Sequence, residues 1–424
     1  MVRKAYVAND RIVVGIDAGT TKIATLIAEV SRNRSVHVIG VGVAQSRGIK
    51  KGVVVDIDET VEAISDSVER AERVSGYKVD RALVGIAGSH VASLNNRVSV
   101  AITSPDHTIT GDDIARAIDA ARVINVPNNC EIIHTVPRGF SVDGQGGVRN
   151  PIGMLGHRLD VDAHIVTGAL TAIQNLTKCF ENAGIEVDQI ILEPLAASEA
   201  VLTDEEREMG VALVDIGGGS TEIAIFVEGS VCYTGSIGVG GNHITNDISV
   251  RLRAPFAQAE EIKLTYANAL SSSVDPQELV EVTTFGRNQV ATVPRSDICD
   301  VAEARLQETF LLIEQEIQRS GYSNLLPAGI VVVGGTAQMC GIAELGSDVT
   351  RLPVRPGVPR GVHGLVDAIG EPGYATSIGL VLWGARYGEN ALGAWSADRR
   401  DDRYTSDGHR MTGRIRGWLR AILP

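Results

Sequence analysis

The stretches VVGIDAGTTKIATLIAEV (13–30) and ALVDIGGGSTEIAIFVEG (212–229) have the same layout. Each is an apolar, β-branched run ending in Asp, then a turn rich in Gly, Thr or Ser, then a second apolar run. Two short strands joined by a Gly-rich turn predict a β-hairpin. One such hairpin would mean little, but its recurrence near the start of each half of the chain predicts two related lobes.

The turns of both hairpins carry residues that suit a polyphosphate. Glycine lets the backbone approach an anion, and hydroxyl groups add donors. Lys22 supplies a cation, and we expect Asp17 and Asp215 to hold Mg²⁺ through water. The predicted phosphate site comprises Asp17, Gly19, Thr20, Thr21 and Lys22 with Asp215, Gly217, Gly218, Gly219, Ser220 and Thr221. The alternative is a pair of ordinary hairpin turns.

A third apolar strand, VVVGGTA (331–337), ends in glycines late in the second half. A flat glycine backbone suits contact with adenine or ribose, so Gly334, Gly335, Thr336 and Ala337 are predicted to bind adenosine. The sequence contains no GxxxxGK[ST] and no GxGxxG after a strand, which argues against P-loop and dinucleotide folds.

Composition narrows the function classes. The 424 residues are 44% apolar and 21% charged, with a formal net charge of -13. An acidic protein is poorly suited to wrapping nucleic acid, because phosphate neutralisation dominates that affinity. The five cysteines form no CxxC pair and are expected to be reduced and mostly buried, and the scattered histidines predict no structural metal site. With no secretory signal and no apolar run long enough to span a bilayer, we expect a cytoplasmic protein.

Periodicity and turn signals divide the chain. Helices are expected at 58–74, 112–124, 171–183 and 303–319, and strands of an inserted α+β module at 84–87, 98–102 and 132–135. The predicted domains are a first lobe (1–84 and 166–204), the inserted module (85–165), a second lobe (205–388) with an outer subdomain (245–325), a flexible linker (389–410) and an amphipathic helix (411–424).

The motifs DAGTTK (17–22), EPLAAS (193–198), DIGGGST (215–221), VVVGGTA (331–337) and GYATSIGLVLWG (373–384) together resemble the actin, Hsp70 and sugar-kinase superfamily. That resemblance implies an α/β, actin-like two-lobed ATPase fold around an interdomain cleft, here with an inserted α+β subdomain and a C-terminal amphipathic helix. It adds Glu260 and Lys263 to the adenosine site. It also places Glu193 where relatives activate water, although a glutamate before Pro194 is equally explained as a helix cap.

Within the superfamily, the chain is most similar to the FtsA family of bacterial cell-division proteins. SRGIKKGVVVDID (46–58), the run 191–226 and AEEIK (259–263) carry this similarity. It implies tethering of filaments of the tubulin-like protein FtsZ to the inner membrane face at the division site, self-assembly into actin-like protofilaments and contact with later division proteins. ATP with Mg²⁺ is the expected ligand, and ATP binding is a firmer expectation than hydrolysis. By the same resemblance, FtsZ would contact the outer subdomain.

The last residues, MTGRIRGWLRAILP (411–424), have the pattern of an interfacial helix. At helical spacing, one face is apolar and arginines flank it, which favours an anionic phospholipid surface. The apolar face comprises Met411, Ile415, Trp418, Leu419, Ile422 and Leu423, and the flanks carry Arg414, Arg416 and Arg420. The alternative is a helix docked on the protein's own core.

Three other functions fit the same motifs. A sugar or acetate kinase would need a carboxylate base in a substrate pocket and would have no use for a basic amphipathic tail. An Hsp70-like chaperone would need a substrate-binding domain after the last motif, where about forty residues remain. A pilus-assembly adaptor shares the fold but normally lacks such a tail.

Overall fold

The computed structural model describes residues 11–285 and 290–388. The strands are β1 (Arg11–Ala18), β2 (Lys22–Val30), β3 (Val36–Gln45), β4 (Ile49–Lys50), β5 (Val53–Val54), β6 (Arg81–Ile86), β7 (Val91–Ala101), β8 (Cys130–Val142), β9 (Gln145–Val148), β10 (Arg158–Ala169), β11 (Glu186–Leu192), β12 (Val211–Ile216), β13 (Thr221–Val227), β14 (Ser230–Ile237), β15 (Leu279–Thr283), β16 (Val290–Pro294), β17 (Ile330–Val333), β18 (Val354–Pro356) and β19 (Val362–Gly364). The helices are α1 (Ile57–Ser75), α2 (Gly111–Ala121), α3 (Leu170–Asn182), α4 (Glu193–Val201), α5 (Asp204–Met209), α6 (Gly241–Leu252), α7 (Phe256–Tyr266), α8 (Arg295–Ser320), α9 (Ile342–Thr350) and α10 (Ala375–Tyr387).

Two sheets with a shared topology form the two lobes. The first has the order β11-β6-β1-β2-β3-β19 and the second the order β14-β13-β12-β17-β18. In each sheet a hairpin (β1–β2 or β12–β13) continues into a third antiparallel strand, and a parallel strand (β6 or β17) lies beside its first strand. The two predicted hairpins are therefore confirmed, as is the prediction that the two lobes are structurally related.

Each sheet is buried by helices on a core of Val, Ile, Leu and Ala. In the first lobe, α4 and α10 cross where Gly379 meets the backbone of Ala196, and a Cβ on Gly379 would overlap that backbone. In the second lobe, α8 places Phe310 against Gly346 of α9. These contacts leave the cleft edge of both sheets, where the two Gly-rich turns lie, uncovered.

Helix boundaries follow their capping residues. The Asp56 side chain accepts a hydrogen bond from Glu59 N at 3.0 Å, and Gly76 ends α1 in the left-handed region, close to the predicted 58–74. Helix α2 ends three residues before the predicted boundary at 124. Helix α8 begins at Arg295, eight residues before the predicted start; Pro294 precedes it without a side-chain capping hydrogen bond, so no capping signal marks this boundary in the sequence.

The inserted module is a four-stranded antiparallel sheet, ordered β7-β10-β8-β9, covered by α2 and holding its own core. One expectation was wrong: the segment 84–87 is not a strand of this module. It is mostly the end of β6, which pairs in parallel with β1 and β11 in the first lobe. An apolar run of four residues shows that a strand exists but not which sheet it joins.

All five cysteines are free, and three of them (Cys179, Cys232 and Cys299) are buried, as expected for reduced thiols. Across the described ranges, no helix combines the length and the apolar character needed to cross a bilayer. The predicted linker (389–410) and amphipathic helix (411–424) lie outside the described residues.

Candidate functional site

A cavity of about 460 Å³ lies between the two lobes and is lined by both Gly-rich turns. This volume is in the range of pockets that enclose small ligands. Of the predicted residues, it brings together Asp17, Gly19, Thr20, Thr21, Lys22, Glu193, Asp215, Gly217, Gly218, Gly219, Ser220, Glu260, Lys263, Gly334, Gly335 and Thr336.

The two turns have the same construction. Each spans four residues between paired strand ends, and each is closed by one backbone hydrogen bond. In the first turn Gly19 N donates to Lys22 O at 3.1 Å, and in the second Gly217 N donates to Ser220 O at 3.0 Å. The repeat in the sequence therefore corresponds to a repeat in backbone geometry, and two similar loops line one cavity.

The loops touch each other across the cleft. A Cβ on Gly218 would overlap the Thr21 hydroxyl, and a Cβ on Gly219 would lie 2.8 Å from Thr20 Oγ1. Both glycines are therefore required for this approach. The second loop is also fixed to α6, since Gly241 N donates to Gly217 O at 2.9 Å.

Four buried carboxyl groups meet at this end of the cavity. Burial raises the pKa of Asp17 to about 7, with Asp215 adding to the effect and Lys22 opposing it. Burial likewise raises the pKa of Asp215 to about 6. Burial and then the charge of Asp17 raise the pKa of Glu193 well above its ordinary value. Such a cluster holds either protons or a cation.

Glu222 is the fourth member of this cluster, and the sequence analysis missed it. Burial, followed by the charge of Asp215, raises the pKa of Glu222 to about 8. It pairs with Asp215 across the β12–β13 hairpin, at the position that Ala24 occupies opposite Asp17 in the first hairpin. The available signal was a carboxylate directly after the GGGST turn in an otherwise apolar strand.

Lys22 balances part of this negative charge. Its Nζ lies 3.5 Å from the centroid of the Tyr374 ring, a cation–π contact. Burial lowers the pKa of Lys22, while Asp17 and Asp215 act in the opposite direction. Asp215 also accepts a hydrogen bond from Thr376 Oγ1 at 3.1 Å, which fixes its carboxylate. Tyr374 and Thr376 belong to the GYATSIG motif, for which no site residue was predicted.

The other end of the cavity carries the predicted adenosine residues. Gly334 has φ 86°, and a Cβ on Gly335 would meet open space within 4 Å. Lys263 Nζ lies 2.8 Å from Glu260 Oε2, and it donates to Thr245 Oγ1 at 2.9 Å. This end therefore offers a flat glycine wall facing a fixed pair of charged side chains.

Two predicted residues do not line the cavity. Thr221 is fully buried in β13, and its hydroxyl donates to Val239 O at 2.8 Å. Ala337 packs in the core of the second lobe. Both follow a turn or strand end directly, where one step along the backbone turns the side chain from the cleft to the interior.

The donor set fits a nucleotide with a divalent cation. Hard cations take carboxylate oxygens and water, and Asp17 and Asp215 supply two buried carboxylates with raised pKa values. Among the described residues, no group of three or more His, Cys, Asp or Glu side chains is arranged to hold a metal ion by itself. Glycine backbone and Lys22 suit phosphate oxygens, and the open space at Gly335 suits a planar base.

Comparisons with known proteins agree with this architecture. Residues 212–379 match the family model "Cell division protein FtsA", and residues 88–167 match "SHS2 domain inserted in FTSA". The chain is 44% identical over 380 residues to cell division protein FtsA of Pseudomonas aeruginosa, covering 90% of this chain and 91% of that protein. It is 37% identical to FtsA of Bacillus subtilis, covering 89% and 84%.

Solved structures share the fold at low identity. A chain of the PilM-PilN type IV pilus biogenesis complex superposes with a TM-score of 0.62 at 17% identity, covering 88% of this chain and 98% of that one. MreB5 of Spiroplasma citri bound to ADP gives 0.51 at 14%, covering 90% and 97%. These likenesses show an actin-like fold, and the matches in sequence show the rest: the chain belongs to the FtsA family of cell division proteins and has an actin-like fold with an inserted SHS2 domain.

Proposed function

We propose that this protein is an ATP-binding, actin-like adaptor that tethers FtsZ filaments to the inner face of the cytoplasmic membrane at the division site. It polymerises and helps to recruit later division proteins. The observation that carries the proposal is the cavity in which two matching Gly-rich loops and four buried carboxyl groups meet, in a member of the FtsA family.

The nucleotide part of the proposal follows from the residues at each end of the cavity. The two loops and Lys22 would hold the phosphates, while Asp17 and Asp215 would hold Mg²⁺ through water. Gly334, Gly335 and Thr336, with Glu260 and Lys263, would border adenosine. Mg²⁺ bound there would neutralise part of the negative charge of the phosphates.

Hydrolysis would depend on the protonation state of Glu193. It is the first residue of α4, and its side chain packs on Gly85, where a Cβ would lie 3.1 Å from Glu193 Cγ. The raised pKa of Glu193 favours the protonated form of its carboxyl group. Glu193 can accept a proton from water only when its carboxyl group is ionised, which burial opposes first and the charge of Asp17 second, so turnover should be slow.

The proposed membrane attachment rests on the sequence of residues 411–424. The proposed domain limits are those given in the sequence analysis. An apolar face with Trp418 suits the headgroup layer, and each arginine near an anionic surface contributes roughly 1 kcal/mol. One such anchor binds reversibly. Assembly into filaments aligns many anchors, and avidity then multiplies weak affinities. ATP would strengthen attachment by favouring the polymerising shape.

The partner assignments follow from family membership. FtsZ would contact the outer subdomain at 245–325, which comprises α6, α7, β15, β16 and α8. The inserted module would contact later division proteins.

Liposome co-sedimentation tests this proposal. The full chain and a truncation ending at Arg410 are mixed with anionic vesicles, with and without Mg²⁺-ATP, and purified FtsZ filaments are then added. The full chain should pellet, more so with ATP, and should bring FtsZ with it, whereas the truncation should stay in the supernatant. Equal pelleting of both proteins would refute the anchor, and absence of FtsZ from the pellet would refute the tether.

A further inference from the structure

A small hairpin that the motif analysis left without a site role enters the cleft at its phosphate end. Strands β4 and β5 pair antiparallel, and their two-residue turn is Lys51-Gly52. Both turn residues lie in the left-handed region, with φ 51° and 75°. This is the geometry of a type I′ hairpin turn, where the first position usually holds Asn or Gly. A lysine there is strained, and strain of this kind concentrates at functional sites.

The turn is held between the two lobes. On the side of the first lobe, a Cβ on Gly52 would overlap Ala87 O, and one on Gly88 would lie 2.8 Å from Lys51 O. Gly52 N also donates to Thr20 Oγ1, in the first phosphate loop, at 3.3 Å. The turn therefore has a fixed position against the first loop.

On the other side the turn meets the second phosphate loop. A Cβ on Gly219 would lie 3.0 Å from both the N and the Cα of Lys51. The Lys51 side chain continues over the second lobe, where its Nζ would lie 3.8 Å from a Cβ on Gly238. Gly238 follows β14 and precedes α6, whose first residue lines the cavity. The Lys51-Gly52 turn thus contacts both phosphate loops, and the Lys51 side chain reaches the segment that enters α6.

The charge of Lys51 has no partner among the residues that the structure describes. Within the part of the chain that the structure describes, no carboxylate lies within ion-pair distance of its Nζ, and the side chain is exposed. Lys22, in contrast, contacts the Tyr374 ring and is attracted by the carboxylates of Asp17 and Asp215. Lys51 therefore places a flexible ammonium group with no carboxylate nearby next to the proposed phosphate site. Such a group suits an anionic group of the ligand, such as a phosphate.

We propose that Lys51 is a specificity-determining residue of the cleft, which favours nucleoside triphosphate over diphosphate by contacting the terminal phosphate and joining it to both lobes. This inference rests on the proposed nucleotide binding and adds a residue to which the sequence analysis gave no site role. The neighbouring Gly52 lines the cavity, whereas the Lys51 side chain is exposed beside it, so the phosphate within its reach would be the one at the edge of the cavity. The charge that distinguishes ATP from ADP is also on that phosphate, so loss of Lys51 should affect the two nucleotides unequally.

The test measures binding of fluorescent ATP and ADP analogues with Mg²⁺ to the full chain. Lys51→Asn removes the charge but tolerates the left-handed turn, and Lys51→Arg keeps the charge. Lys50→Asn is the matched control, since Lys50 is an exposed lysine one residue earlier, on β4. Lys51→Asn should weaken ATP binding about tenfold and ADP binding less than about twofold, with a shallower salt dependence for ATP. Lys51→Arg and Lys50→Asn should stay within about threefold of the wild type.

The outcomes separate the two claims. If the wild type binds both nucleotides and Lys51→Asn weakens both equally or neither, Lys51 has no role in selectivity while nucleotide binding stands. If the wild type binds neither nucleotide, the proposed function itself fails. Melting temperatures of all variants, measured without ligand, show whether a loss of binding is a loss of folding. If Lys51→Asn melts at a lower temperature, ATP and ADP binding are compared at a temperature at which every variant is folded, and the ratio of the two affinities then decides.

Discussion

Replacing Asp17 by Asn should stabilise the empty protein, although it removes a residue of the proposed site. The pKa of Asp17 is raised from 3.8 to about 7, mainly by burial. Between these values the folded state keeps a proton that the unfolded state has lost. Stability therefore falls as pH rises through this window, by about 1.4 kcal/mol per pH unit for one group.

The full difference is about three pKa units, or roughly 4 kcal/mol above pH 7. Asn is also desolvated at this position and loses the attraction of Lys22, so about half of this amount, ~2 kcal/mol, should appear as added stability. For a chain of this size the unfolding entropy is roughly 0.8 kcal/mol/K, which converts the gain into a rise of about 2 to 4 °C in melting temperature.

The assay is thermal unfolding of the wild type and Asp17→Asn at pH 5, 6, 7 and 8, with and without Mg²⁺-ATP. Without ligand, the difference in melting temperature should grow from pH 5 to pH 8. With ligand, the wild type should gain about 2.7 kcal/mol at a hundredfold excess over Kd, and the variant clearly less. Asp348→Asn, on the exposed side of α9, is the control and should show neither effect. A variant less stable than the wild type by the same amount at every pH would refute the idea that burial penalises the charge of Asp17.

Three further changes test the geometry of the cleft. Gly218→Ala should weaken ATP binding at least tenfold in a titration, because its Cβ overlaps the Thr21 hydroxyl, while Gly139→Ala, which meets nothing within 4 Å, should bind normally. Glu193→Gln should bind ATP within about threefold of the wild type but release phosphate at least tenfold more slowly, and unchanged phosphate release would show that Glu193 does not activate water. Tyr374→Ala should lower ATP affinity more than Tyr374→Phe, since Phe keeps the ring under Lys22 Nζ; equal effects would assign the role to the Tyr374 hydroxyl instead.

The two hairpins were predictable because every signal for them is local. An apolar β-branched run, a Gly-rich turn and a second run define β1–β2 and β12–β13 without reference to the rest of the chain. Helix α1 was predictable for the same reason, since Asp56 and Gly76 cap it from within the segment. Where the capping signal is weaker, as at the start of α8, the predicted helix boundary differs from the observed one.

The parts that sequence alone missed depend on contacts between distant segments. Glu222 is a site residue because β13 pairs with β12 and turns it towards Asp215. Lys51 is important because a hairpin from the first lobe contacts Gly219 in the second. Conversely, Thr221 satisfies the motif but is turned into the core. A motif identifies the turn, whereas the three-dimensional pairing decides which side chains of that turn face the cleft.

The two Gly-rich loops have the same backbone geometry, but the carboxylates beside them differ. This difference gives a reason for the ligand to influence how the two lobes are arranged. The loops are closed by equivalent hydrogen bonds, but Glu222 in the second hairpin corresponds to Ala24 in the first. Glu222 and Glu193, one from each lobe, therefore bring extra negative charge to the surface where the lobes meet. Burial and neighbouring charges raise the pKa values of both groups, so these carboxyl groups favour the protonated form where no cation compensates their charge. Under the proposed function, a nucleotide that brings its own cation would compensate this charge and would contact both loops. It would therefore favour an arrangement in which the two loops lie together, because differential affinity of this kind is what shifts a conformational equilibrium.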